Sequence, residues 1–176
     1  MGAAPRGKDE PGFFNAGIRF HGYPFPGASV YPAGFLRWET VKEIDPDCAP
    51  PELRTDREVI FVTAPHRARL LDEACRRGIP VVRRVDVWGL ILEPFVDTSF
   101  ELPHRLRTLR TLQRNGIPFL ECVNIRRRVG ATMYAYNILS GLWDWCNLGL
   151  WDLLKAYRGE LSGPEYAIPV NDFKEL

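Results

Sequence analysis

The sequence predicts an α+β fold, with a small mixed β-sheet from residues 13–85 and a mainly α-helical C-terminal half packed against it. Three observations carry that expectation. The N-terminal half interleaves aromatic residues with Gly and Pro, which excludes long helices and favours short extended segments joined by turns. The residues after 86 show apolar spacing of helical period, punctuated by capping residues and prolines. Between the two stands one strand–helix–strand pattern, enough for a single parallel crossover and too little for a doubly wound fold.

The elements follow in order. Residues 1–12, MGAAPRGKDEPG, are Gly, Pro and charge and read as a flexible tail, leaving 13–176 as one domain. FFNAGIRFHGYPFPGASVYPAGF should lie across a core with its rings inserted and its turns outside. In LRWETVKEI the spacing of Trp38, Val41 and Ile44 suits a helical turn as well as a twisted strand. DPDCAPPE is a loop, and LRT and EVIFV read as strands, the second with a β-branched and aromatic centre. Thr63 then offers an N-cap and Pro65 a first-turn proline. HRARLLDEACRR carries Ala68, Leu71 and Cys75 at i, i+3, i+7, Gly78 ends the helix, and IPVVRRV reads as a further strand.

The stretch VDVWGLILEPFVDTSFELPH, Val85–His104, holds four carboxylates and no Lys or Arg. Asp86 can cap VWGLILE, and Pro94 bends or ends that helix. Thr98 and Glu101 have the T-x-x-E spacing of a capping box, ahead of Leu102, Leu106 and Leu109 on a helix closed by Gly116. Ile117-Pro118 starts FLECVNIRRRV, Gly130 is expected to break it, and ATMYAYNILSGLWDWCNLGLWDLLKAY runs for several turns. Its apolar arc takes Ile138, Leu139, Leu142, Trp145, Cys146, Leu150, Leu153 and Leu154, with Asn137, Ser140, Asp144 and Asn147 opposite. The remaining tail reads as docked but irregular. Two loosely coupled subdomains meeting near Asp86 are the alternative organisation.

Charge and composition exclude several classes. With 23 basic and 22 acidic residues the net charge is +1, which gives no general attraction to nucleic acid or anionic lipid. No run of apolar residues is long enough for a membrane span. The N-terminal residues lack the apolar core of a signal peptide, and Arg6 stands where a myristoylation motif wants Ser or Thr. Cys48, Cys75, Cys122 and Cys146 are widely spaced without a C-x-x-C pair, so reduced thiols, no metal, no cofactor and a cytoplasmic location are expected.

Three features could carry chemistry. Glu93, Asp97, Glu101 and His104 are spaced four, four and three apart, which would stack them on one face of a continuous helix and suit a hydrolase that activates water. Pro94, Pro103 and the capping box argue against that continuity. In VTAPHRAR, His66, Arg67 and Arg69 open a helix after a strand, where free N–H groups and the macrodipole favour an anion. Against this, Arg69–Glu73, Asp72–Arg76 and Glu73–Arg77 can pair along a solvated face. The third feature is arginine. Residues 102–130 hold Arg105, Arg107, Arg110, Arg114, Arg126, Arg127 and Arg128 against a single acid, Glu121.

Arg105 and Arg126 fall on faces expected to be buried, and would then need carboxylates, with Glu93, Asp97 and Asp144 as partners. Arg107, Arg110 and Arg114, at i, i+3, i+7, form a stripe expected opposite Leu102, Leu106 and Leu109. Leu148 and Trp151 stand among the polar residues of the last helix and need cover. No G-x-S-x-G, H-E-x-x-H or P-loop occurs. The sequence therefore points to a cytoplasmic interaction or regulatory module without catalysis. Its expected contacts are Trp151 and Leu148 as apolar anchors and Arg107, Arg110 and Arg114 as a charged border. The partner expected is a protein with an acidic surface, or a second copy, rather than nucleic acid or membrane.

Overall fold

A computed structural model of the chain describes residues 10–95, 101–140 and 148–160. The polypeptide divides into two compact units, one ending at Arg83 and the other spanning Arg84–Glu160. The division falls just ahead of Asp86.

The first unit contains two antiparallel three-stranded sheets instead of the expected mixed one. β1 (Gly12–Phe13), β2 (Gly17–Arg19) and β3 (Phe35–Arg37) form one, and β4 (Glu43–Asp45), β5 (Glu52–Arg54) and β6 (Val59–Phe61) the other, each in sequence order. Gly12 of the expected tail already pairs with Arg19, and residues 1–9 lie outside the described residues. LRWETVKEI resolves into both of its readings, a 3-10 turn over Trp38–Thr40 followed by β4. The expected strand IPVVRRV supplies only a parallel bridge from Val81 to Ile44. Ile44 N donates to Pro80 O and Val82 N to Ile44 O, both at 2.9 Å. Pro80 has no N–H to extend the ladder. Beyond it, Arg83 is drawn to Asp47.

The core of this unit follows from strand alternation. Ile44, Leu53 and Ile60 are successive cross-strand partners and all are fully buried. The Gly/Pro-interleaved segment inserts its rings as expected. Phe20, Tyr23, Phe25 and Phe61 form an edge-to-face chain with centroids 5.3, 5.8 and 6.0 Å apart, and Tyr23 Oη accepts from Phe61 N at 3.0 Å.

α1 (Arg67–Arg77) begins after a 3-10 turn over Ala64–His66, and Thr63 makes no side-chain capping bond. Gly78 takes the left-handed conformation (φ 66°) that ends it. The helix buries Leu70, Glu73 and Ala74 in place of Ala68, Leu71 and Cys75. Both stripes contain apolar residues. The one chosen lets Arg69 and Arg77 stack over Phe13 and Trp38, at 5.0 and 4.8 Å from the ring centroids.

In the second unit Asp86 caps α2 (Val87–Leu92) by accepting from Gly89 N at 2.7 Å. A Cβ on Gly89 would lie 2.5 Å from that carboxylate, so a larger residue there would make the Asp86 side chain shift. A 3-10 turn, Glu93–Phe95, carries Pro94. α3 (Leu102–Arg114) starts directly after Glu101, which is its N-cap residue and makes no side-chain capping bond. The expected capping box needs Glu101 two to three residues inside the helix. Pro103 in the first turn fixes the start instead, and Thr98 lies outside the described residues. Gly116, at φ 87°, ends α3, with Ile117 N donating to Leu112 O.

α4 (Phe119–Ser140) runs through Gly130 without the expected break. Gly130 has no positive φ. A Cβ built on it would meet the Phe95 ring at 3.5 Å, an ordinary van der Waals contact, so the position is an ordinary helix interior. A single glycine costs only about 1 kcal/mol there, too little to end the helix. Residues 141–147 lie outside the described residues, as do Trp145 and Cys146 of the expected apolar arc. Leu148 and Gly149 are not helical, and α5 (Leu150–Glu160) starts after them. Gly149 N donates to Asp152 Oδ2 at 3.0 Å, while Asp152 N and Leu153 N donate to Gly149 O. One helical wheel therefore cannot span 131–157. Ile91, Leu92, Leu112, Cys122, Val129, Met133 and Leu153 make the fully buried core.

Candidate functional site

The turn after α2 and the first half of α3 bring Glu93, His104 and Thr108 together. His104 Nε2 and Glu93 Oε1 are 2.5 Å apart, and Thr108 Oγ1 donates to Glu93 Oε2 at 3.0 Å. Two of the four residues of the acid–histidine reading are thus neighbours; Glu101 stands exposed ahead of α3, and Asp97 lies outside the described residues. A carboxylate beside an imidazole can orient it for proton transfer. Thr108, the hydroxyl at this pair, spends its proton on Glu93, so both carboxylate oxygens tie the end of α2 to α3. No group of three His, Cys, Asp or Glu arranged to hold a metal ion occurs among the described residues.

At the start of α1 the cations of the anion-site reading have partners within the unit. Arg67 pairs with Asp47 and its Nε donates to Pro46 O at 2.9 Å. Arg83 Nε reaches the other Asp47 oxygen at 2.9 Å. That hydrogen bond from Arg83, with Arg67 beside it, holds the Asp47 carboxyl below its ordinary value against the opposing effect of desolvation. The His66 ring lies 5.5 Å from the Phe13 ring, and Arg69 covers the same ring. Glu73, buried, pairs with both Arg76 and Arg77, and Arg77 also donates to Asn15 O at 2.9 Å. The positive charge that suggested a bound anion thus faces Asp47 and aromatic rings. Asp47 stands twenty residues from Arg67 in sequence, beyond the reach of helical pairing rules.

The expected buried arginines are resolved differently. Arg105 is exposed. Arg126 is half-buried, but its Nε donates to Ile91 O at 2.9 Å and its terminal nitrogen to Leu90 O at 3.1 Å. The last carbonyls of α2 replace the carboxylates proposed for it, since a helix C-terminus carries free acceptors and partial negative charge.

The expected interface residues separate. Leu148 is only 2% exposed and belongs to the core, because the interruption before α5 removes it from the polar side of a continuous helix. Trp151 is half-buried on α5. Arg107, Arg110 and Arg114 are exposed on α3, and their guanidinium groups form no ion pair, hydrogen bond or ring contact among the described residues. The leucines expected opposite them are not a buried face. Leu102 is 68% and Leu106 44% exposed, while α3 buries Thr108 and Leu112. The bonds from Glu93 to His104 and Thr108 turn that side of the helix inward.

The same outward character continues on α4. Phe119, Leu120 and Val123 are 58, 73 and 43% exposed, although Cys122, Ile125, Val129 and Met133 already fill the inward face. Apolar residues on both sides of an isolated surface helix are unusual, and an exposed cluster of them marks a contact surface. The sequence held this signal. Phe119, Leu120, Cys122, Val123 and Ile125 are too many and too closely spaced for one face.

No family model, curated protein or solved structure matches the chain. The protein is defined by its own architecture: an α+β chain whose N-terminal half carries two small antiparallel sheets and whose C-terminal half is helical. No helix among the described residues is long and apolar enough to cross a membrane.

Proposed function

We propose that the protein is a cytoplasmic interaction or regulatory module without catalysis, which binds an acidic partner protein through α3 and the first turns of α4. One observation carries the reading: uncompensated Arg107, Arg110 and Arg114 stand beside exposed Leu102 and Leu106, with Phe119 and Leu120 following the short α3–α4 loop. Apolar side chains supply the area of such a contact and arginines its bidentate pairing with carboxylates. Self-association through this surface is disfavoured, since a two-fold contact would set its arginines against one another.

The His104–Glu93 pair supports a second reading, a small hydrolase using that pair with Asp97. It predicts that His104→Ala abolishes a hydrolytic activity of the purified chain, and a broad ester and phosphoester panel tests it.

The interaction reading is tested by quantitative affinity purification with wild type, Leu120→Asp and the triple change Arg107→Glu, Arg110→Glu, Arg114→Glu. Acidic proteins enriched by wild type and lost from both variants support it. Identical recovery by all three, with melting temperatures unchanged, rejects this surface.

A further inference from the structure

The outward side of α3 has a pattern beyond general charge. Leu102, Leu106, Leu109 and Gln113 follow the alternating three- and four-residue spacing of a coiled-coil seam. Leu102 and Leu106 are exposed and Leu109 is half-buried. At 100° per residue, Arg105 falls on one flank of this seam and Arg110 on the other, with Arg114 and Arg107 farther round the helix beyond Arg110. None of the four guanidinium groups has a partner among the described residues. The seam thus has arginine on both flanks, as a helix has when its partner supplies the acids.

We infer that the binding partner presents an acidic amphipathic helix, laid along α3 with its apolar stripe on Leu102, Leu106 and Leu109 and its carboxylates on the flanking arginines. This rests on the interaction reading above and specifies what fills the surface. Axial spacing selects a helix over a strand. Leu102, Leu106 and Leu109 rise by roughly 6 and then 4.5 Å along α3. Apolar residues at i, i+4, i+7 of a second helix repeat those steps. Same-face residues of a strand recur every ~6.7 Å, so a strand runs out of register by about 3 Å across the row. An anionic bilayer is the competing occupant, and the vesicle arm of the test below separates it from the helix.

The probe is a fluorescent three-heptad peptide with Leu at a and d and Glu at e and g, whose own carboxylates repel and keep it single-stranded. Controls carry Lys in place of Glu, or the same composition scrambled. Anisotropy titration of the full chain should show the Glu peptide binding about tenfold or more tighter than either control, with affinity falling as salt rises. Leu106→Asp and Arg105→Glu/Arg110→Glu should each weaken it by about tenfold or more while melting like wild type. Equal binding of the Glu and scrambled peptides overturns the inference. So does sedimentation with phosphatidylglycerol vesicles when the Glu peptide does not bind. If Leu120→Asp loses partners in affinity purification while the Glu peptide fails to bind, the helix inference falls and the interaction reading stands. If neither effect appears, both fall.

Discussion

Leu112→Ala and Leu120→Ala make the same chemical change on neighbouring helices and should have opposite consequences. Leu112 is fully buried at the end of α3, and Leu120 in the first turn of α4 is 73% exposed. Removing a fully buried leucine loses its transfer energy and leaves a cavity, together about 2–5 kcal/mol. At Leu120 only about a quarter of a ~2 kcal/mol transfer energy is at stake, roughly 0.5 kcal/mol. The higher helix propensity of Ala offsets part of that. The other three quarters of the side chain remain to be buried by a partner, worth about 1.5 kcal/mol, or tenfold in affinity. Urea denaturation followed by far-UV circular dichroism measures the first pair of numbers, fitted with a separate transition for each unit if two appear. A loss above ~1.5 kcal/mol for Leu120→Ala would mean that the chain itself covers this side chain. The surface argument would then fail.

Other outcomes follow from single contacts. Asp86→Ala, which removes the bond to Gly89 N, should cost about 1 kcal/mol of stability to denaturant; no loss would show that α2 does not need its cap. Asp47→Asn should destabilise the protein at neutral pH. A carboxyl held below its ordinary value stabilises the fold above that value and ceases to as pH falls through its folded one. The gap between wild type and variant should therefore close on acidification below the ordinary aspartate range, and a gap independent of pH would exclude the charge as its source. Among the described thiols, exposed Cys75 should react first with a maleimide in the native state. Cys122 is buried and its thiol is pushed up in pKa by desolvation, so it should react only on unfolding. Mass spectrometry of partially labelled protein gives the order.

Features fixed by a few neighbouring residues were legible in the sequence. Gly78 and Gly116 take the left-handed turns expected of them, Asp86 caps its helix, and the strand at EVIFV lies where its β-branched centre put it. Features that depend on a distant partner were not. Gly130 reads as a break, but one glycine costs only about 1 kcal/mol and buried Val129 and Met133 hold the helix through it. Arg67 reads as a free cation until Asp47 reaches it, and Arg126 as one in need of a carboxylate until the end of α2 supplies carbonyls. The face of α3 was misjudged because its leucines mark the natural apolar side, while the Glu93 carboxylate binds His104 and Thr108 on another. The arginine row of the candidate surface came from spacing alone. Leu148 is no surface anchor, because it stands just ahead of α5, where a single helix wheel does not apply, and it is buried in the core.

Side-chain footprinting with hydroxyl radicals tests the central claim most directly, because the exposed aromatic and leucine residues report from both units. The affinity-purified assembly and the isolated chain would be oxidised side by side and compared residue by residue. The account predicts strong protection of Leu102, Leu106, Phe119 and Leu120 in the assembly, with Phe14 and Phe35, exposed in the first unit, oxidised equally in both samples. Protection of Phe14 and Phe35 with α3 and α4 unchanged would contradict it.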